Sequence, residues 1–88
     1  MSKNANKKME EVLSRDVEIL RFINKHTKEK GWPPTVREIQ TALDISSTSV
    51  VSYHINSLKN DGYLVKTDEQ QARALALTPD GRMHMESS

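Results

Sequence analysis

Gly31-Trp32-Pro33-Pro34-Thr35 is a stretch that no helix can cross, and it sets the layout on both sides of it. Each proline fixes its own φ and biases the residue before it toward extended backbone. Upstream, Ile19, Leu20 and Ile23 recur at helical spacing, Lys28 and Lys30 fall in the last turn, and Gly31 is placed to end the helix in the left-handed region. Downstream, Thr35 followed three residues later by Glu38 is a capping box, which starts a second helix with Val36, Ile39 and Leu43 turned inward. Asp44 to Ser46 reads as a tight turn. Ser46 or Ser47 then caps a third helix that runs to about Asp61, buries Val51, Ile55 and Leu58, and ends at Gly62.

The start of the first helix can be read in two ways. One helix carried upstream through Met9, Val12 and Leu13 would set Asp16 in the middle of the face formed by Val12, Ile19, Leu20 and Ile23. A fresh start near Ser14 avoids burying that carboxylate and places it near the positive end of the helix dipole. The expectation is therefore a helix over 14–30, preceded by a polar arm over 1–13 that carries Lys3, Lys7 and Lys8 and is free to be partly helical.

After Gly62 the period changes from helix to strand. Tyr63-Leu64-Val65-Lys66-Thr67 is β-rich, Asp68 to Gln71 is polar, and Ala72 to Thr78 alternates again, which reads as a hairpin with a short tip. Pro79 prevents extension of the second strand, leaving residues 79–88 as one helical turn or a frayed tail. A chain of 88 residues encloses one modest core. The fold class expected is mainly α (α+β), a three-helix winged helix-turn-helix over 14–78 with a C-terminal β-hairpin wing.

That order places the third helix, the second of the helix-turn-helix pair, where it can enter the major groove of duplex DNA. Net charge alone does not identify a nucleic-acid binder, because 13 basic groups stand among 12 acidic ones. Their distribution is more informative. Opposite the buried stripe of the third helix lie Ser49, Tyr53, Asn56 and Asn60, with Val50 and Ser52 on the borders, and residues 45–60 hold one lysine, Lys59, and no acid. A solvated face usually carries Glu and Lys pairs. Hydroxyls and amides can instead donate to and accept from base edges, and Val50 can pack on a thymine methyl. Lys59, Lys66, Arg73 and Arg37 are the candidates for the phosphate backbone, with Gln70 and Gln71 at the wing tip.

Other chemistries find little support. The chain has no cysteine, so disulfides, thiolate metal sites and cysteine nucleophiles are excluded. His26, His54 and His84 fall on different elements without metal-ligand spacing, and there is no nucleophile elbow or phosphate-cradling glycine loop. Neither an enzyme nor a cofactor or metal is expected. No run is apolar enough for a membrane span and no secretory signal opens the chain, which points to the cytoplasm. Trp32 is expected to cover an edge of the core.

The run Gly31-Trp32-Pro33-Pro34-Thr35-Val36-Arg37-Glu38-Ile39, followed by Leu43, Ser47, His54-Ile55-x-x-Leu58 and Gly62, resembles the DNA-binding domain of LexA-type repressors. The likeness covers Arg15 through Gly62 and implies a prokaryotic or phage repressor that docks its third helix in the major groove. In that family the helix reads DNA with a Ser, an Asn, an Ala and two Glu, where this chain has Ser47, Ser49, Val50, Ser52 and Tyr53. Only the serine agrees, so a different operator is implied. Asp44 stands at the family's turn glycine, and the chain stops where the family's self-cleaving protease domain would begin, so self-cleavage is not expected. Leu77-Thr78-Pro79-Asp80-Gly81 also resembles the wing exit of MarR-like regulators.

Double-stranded DNA is the expected partner. A lone domain makes few base contacts, so a homodimer on a palindrome is one route to useful specificity, with Met9, Val12 and Leu13 as the candidate patch. The alternative is a winged-helix module that binds another protein, such as a phage or plasmid accessory protein acting on a host regulator.

Overall fold

Helix α1 spans Lys3–Lys30, α2 Val36–Leu43, α3 Thr48–Asn60, strand β1 Leu64–Lys66, β2 Leu75–Leu77 and α4 Pro79–Glu86. The computed structural model describes residues 3–67 and 75–87, with side chains from residue 15 onward. Gln70, Gln71 and Arg73, and the patch expected on Met9, Val12 and Leu13, lie outside what is described.

Each element ends where local chemistry requires it. Gly31, at φ 86°, closes α1 with its N–H on the Thr27 carbonyl at 2.9 Å. The capping box forms in full: Glu38 N–H donates to Thr35 Oγ1 at 3.1 Å, and Thr35 N–H donates to Glu38 Oε1 at 2.9 Å. Asp44 takes φ 54°, ψ 47°, a left-handed residue in a turn without glycine, and the following Ile45 N–H closes onto the Gln40 carbonyl at 3.0 Å. Aspartate is among the few side chains that adopt this conformation readily. Of the two serines expected to cap α3, Ser47 does so, accepting from Val50 N–H at 3.3 Å. Gly62, at φ 81°, ends α3 and lets Tyr63 N–H reach back to the Leu58 carbonyl.

One core joins the elements. Ile19, Leu20 and Ile23 of α1 meet Ile39, Val51 and Leu58 of α2 and α3, while Leu64 and Leu75 of the hairpin and Met85 of α4 close the other side. The strands are antiparallel, with Leu64 opposite Leu77, Val65 opposite Ala76 and Lys66 opposite Leu75. Arg15 ties α1 to the end of α2 by donating to the Leu43 carbonyl at 3.2 Å, a cation on exposed helix carbonyls. No helix among the described residues is long and apolar enough to cross a membrane.

Three expectations need correction. α1 does not restart at Ser14 but runs continuously from Lys3, and Asp16 lies inside the apolar face with 5% of its surface exposed. The carboxylate is tolerated because Asp16 Oδ1 and His54 Nδ1 of α3 share a hydrogen bond of 2.7 Å, and a buried polar group with a partner is far less costly than one without. Residues after Thr78 form the two-turn helix α4, not a single turn or a frayed end. Thr78 Oγ1 accepts from Gly81 N–H at 3.0 Å, and Pro79 occupies the first helical position, where its missing N–H costs nothing. Gly81 is buried against the Tyr63 backbone, so its role is close approach rather than a turn. Trp32 does not cover the core: half of its surface is exposed, and its carbonyl accepts from His26 Nδ1 at 2.9 Å.

Candidate nucleic-acid interface

Helix α3 buries one side and exposes another of different character. Val51, Ile55 and Leu58 face inward as the spacing predicts, joined by His54. On the outside, Ser49, Ser52, Tyr53, Asn56 and Asn60 are exposed, Tyr53 at 65%. Ser47 is half-buried and engaged as the cap, so its hydroxyl already has a backbone partner. Val50 is half-buried and packed against the core, which leaves only part of its side chain available to a ligand. The six candidates for base contact therefore divide: four stand free on one exposed surface, and two sit at its margin.

The candidate cations are placed by different devices. In β1, Leu64 and Lys66 share a face by the two-residue period of a strand, so Lys66 is turned toward α3 while Val65 faces solvent. Lys59 lies in the last turn of α3. Together with Val36, Ser52, Ile55, Asn56 and Leu75, these two lysines line an open notch of about 200 Å³ between α3 and the root of the hairpin. Two ammonium groups beside a hydroxyl and an amide form a seat suited to an anion. No ion pair among the described residues occupies Lys59 or Lys66. Arg37 is exposed one residue beyond Val36, near the N-terminal end of α2.

Behind α3 lies a cluster that the sequence reading missed. Asp16 and His54 are both buried, and the His54 ring meets Tyr53 edge-on with centroids 5.5 Å apart. Burial pushes the Asp16 carboxyl above its usual range, while the His54 hydrogen bond and charge pull it back, Asp61 raises it further and His84 lowers it. The three histidines are spread over α1, α3 and α4 and each has another partner: His26 the Trp32 carbonyl, His54 the Asp16 carboxyl, and His84 the Tyr63 ring, stacked at 4.3 Å. The signal available in the sequence was an acid and a histidine, each placed at helical spacing on an apolar face.

Comparison with known proteins places these elements in a family. Residues 9–74 match the family described as the LexA DNA binding domain. Among curated relatives, the LexA repressor of Lactiplantibacillus plantarum is 50% identical over 68 residues, covering 77% of this chain and 32% of the relative. That of Myxococcus xanthus is 47% identical over 75 residues, covering 85% and 33%. That of an Anaeromyxobacter species is 43% identical over 74 residues, covering 84% and 32%. The chain thus spans about a third of the length of these relatives.

Proposed function

Because the chain belongs to the LexA DNA-binding domain family, we propose that it is a sequence-specific double-stranded DNA-binding repressor that lays α3 in the major groove. The observation that carries this reading is the junction of two surfaces: the uncharged outer face of α3 meets the notch holding Lys59 and Lys66. Ser49, Ser52, Tyr53 and Asn56 read base edges, with Ser47 and Val50 at the margin of the contact. Lys59, Lys66 and Arg37 hold phosphates, and Arg73, Gln70 and Gln71 are the further candidates for the backbone or the minor groove. None of the four exposed readers is an Arg or Lys, the commonest partners of guanine, so the specificity of one copy is either modest or tilted toward A·T pairs.

The protein acts by occupying DNA, in the cytoplasm, rather than by catalysis. Two copies on a palindrome supply the specificity that four reader side chains cannot, since one module buries too little surface on DNA.

Fluorescence anisotropy with a random duplex pool at low and physiological salt, followed by selection and sequencing, tests the reading. An enriched motif is expected, with affinity falling steeply with salt, by a log–log slope of about −0.9 for each phosphate contacted. Salt-sensitive binding without enrichment would leave a DNA-binding domain that does not read sequence. No binding at low salt would favour a protein-interaction module.

A further inference from the structure

Packing and a polar contact hold α3 in different ways. Val51, Ile55 and Leu58 seat the helix on the core, and because apolar attraction is non-directional, a directional polar contact adds a separate constraint on rotation about the helix axis. Reading bases requires side chains held to roughly 0.5 Å and 10–20°. His54 stands at the edge of the apolar stripe, and the hydrogen bond it shares with Asp16 of α1 is short, at 2.7 Å, with both side chains under a tenth exposed. The neighbouring residue is Tyr53, an exposed side chain of α3, whose ring lies edge-on to that of His54. The same contact that makes a carboxylate tolerable in the core therefore pins α3 at one point on its circumference.

We infer that Asp16 is a positioning residue for DNA recognition: acting through His54, it fixes the roll of α3 and thereby the direction in which Tyr53, Ser49 and Asn56 reach base edges. This rests on the reading of α3 as the base-contacting helix. Asp16 itself is buried behind α3 and touches no DNA in that arrangement. A pair that served stability alone would lower the folded fraction and with it all binding in proportion. A positioning pair changes the ratio of specific to non-specific binding among molecules that are folded.

The test uses the full chain, the duplex selected above and a scrambled duplex of equal length, at a temperature where circular dichroism shows each variant folded. Asp16→Asn keeps an oxygen at the same reach and is expected to hold the specificity ratio within about threefold of the parent, since the hydrogen bond survives. Asp16→Ala leaves His54 without its partner and is expected to lower the ratio by about tenfold or more, the scale of losing one good base contact, with scrambled-duplex binding little changed. Should Asp16→Ala not fold, Asp16→Ser removes the contact with a side chain too short to reach His54. Long-range nitrogen–proton spectra of the His54 ring should show the Nδ1 hydrogen bond kept in the Asn variant and lost in the others. A folded Ala or Ser variant with the parent's ratio would overturn the positioning role while leaving α3 as the reader. If the parent itself enriches no motif, the reading of α3 fails first and the positioning role falls with it.

Discussion

Helices α3 and α4 begin alike and present opposite surfaces. Each follows a hydroxyl cap, Ser47 or Thr78, that accepts an N–H from the first turn, and each buries one side in the same core. α4 exposes Asp80, Arg82, Met83 and Glu86, the mixed charges with which a helix usually meets water. α3 exposes Thr48, Ser49, Ser52, Tyr53, Asn56 and Asn60. One chain therefore contains both a recognition candidate and its control, and the difference shows that an uncharged polar face is not how this protein solvates a helix.

The comparison requires α4 to belong to the same folded unit as α3, and the largest expected effect tests that. A Cβ on Gly81 would overlap the Tyr63 carbonyl oxygen, which is backbone and cannot swing aside. Gly81→Ala should cost about 3 kcal/mol or more in urea melts, at or beyond the upper end of ordinary overpacking. A variant as stable as the parent would mean that α4 is only loosely attached.

Next in size is a matched pair. Tyr53 on α3 and Met83 on α4 are each 65% exposed, so truncating either should change stability by no more than about 0.5 kcal/mol. Tyr53→Ala should also reduce discrimination between selected and scrambled duplex by about 1–2 kcal/mol, whereas Met83→Ala should leave it intact. Equal effects from both would erase the distinction between the helices. Lys66→Ala should weaken all duplexes alike and make the log–log salt slope shallower by about 0.9, with Arg82→Ala on α4 leaving the slope as it was.

The smallest effect concerns protons where both helices meet α1. Asp16 faces His54 and Asp61 on the α3 side and His84 on α4, and burial sets its carboxyl above the usual range. The folded chain thus holds this proton more tightly than the unfolded one. Its contribution to stability is greatest in acid, falls as pH rises from the ordinary carboxylate range through the raised value, and is level above it. Asp16→Asn should become progressively more stable relative to the parent as pH rises through that window, in parallel thermal melts. An unchanging difference would mean that Asp16 titrates as it would in water.

Legibility in the sequence followed the range of the interaction. The Pro-Pro-Thr break, both glycine helix ends, the capping box and the Val51, Ile55, Leu58 stripe are local devices, and all appear where the residues indicated. The α1 start was misread because Asp16 is acceptable only with a partner 38 residues away, which no periodicity reveals. The start of α4 is written locally in the Thr78 cap and Pro79, but its length is not, because a glycine inside so short a helix is explained only by the Tyr63 backbone beside Gly81. At the candidate interface, wheel positions picked out the exposed side chains of α3 but could not show that Val50 packs inward, or that Lys59 and Lys66 line one notch.

The Asp16–His54 contact also limits how the molecule can be altered. Replacing either residue alone by an apolar one strands a polar group in the core, while exchanging both for apolar residues of similar volume strands neither. Single apolar substitutions lead downhill from a position that a paired substitution could leave at little cost, so a change of either site to an apolar residue is expected to accompany a change of the other. The same holds for transplantation: α3 grafted onto another scaffold brings His54 without its counterpart, and a design that borrows this helix must borrow residue 16 as well.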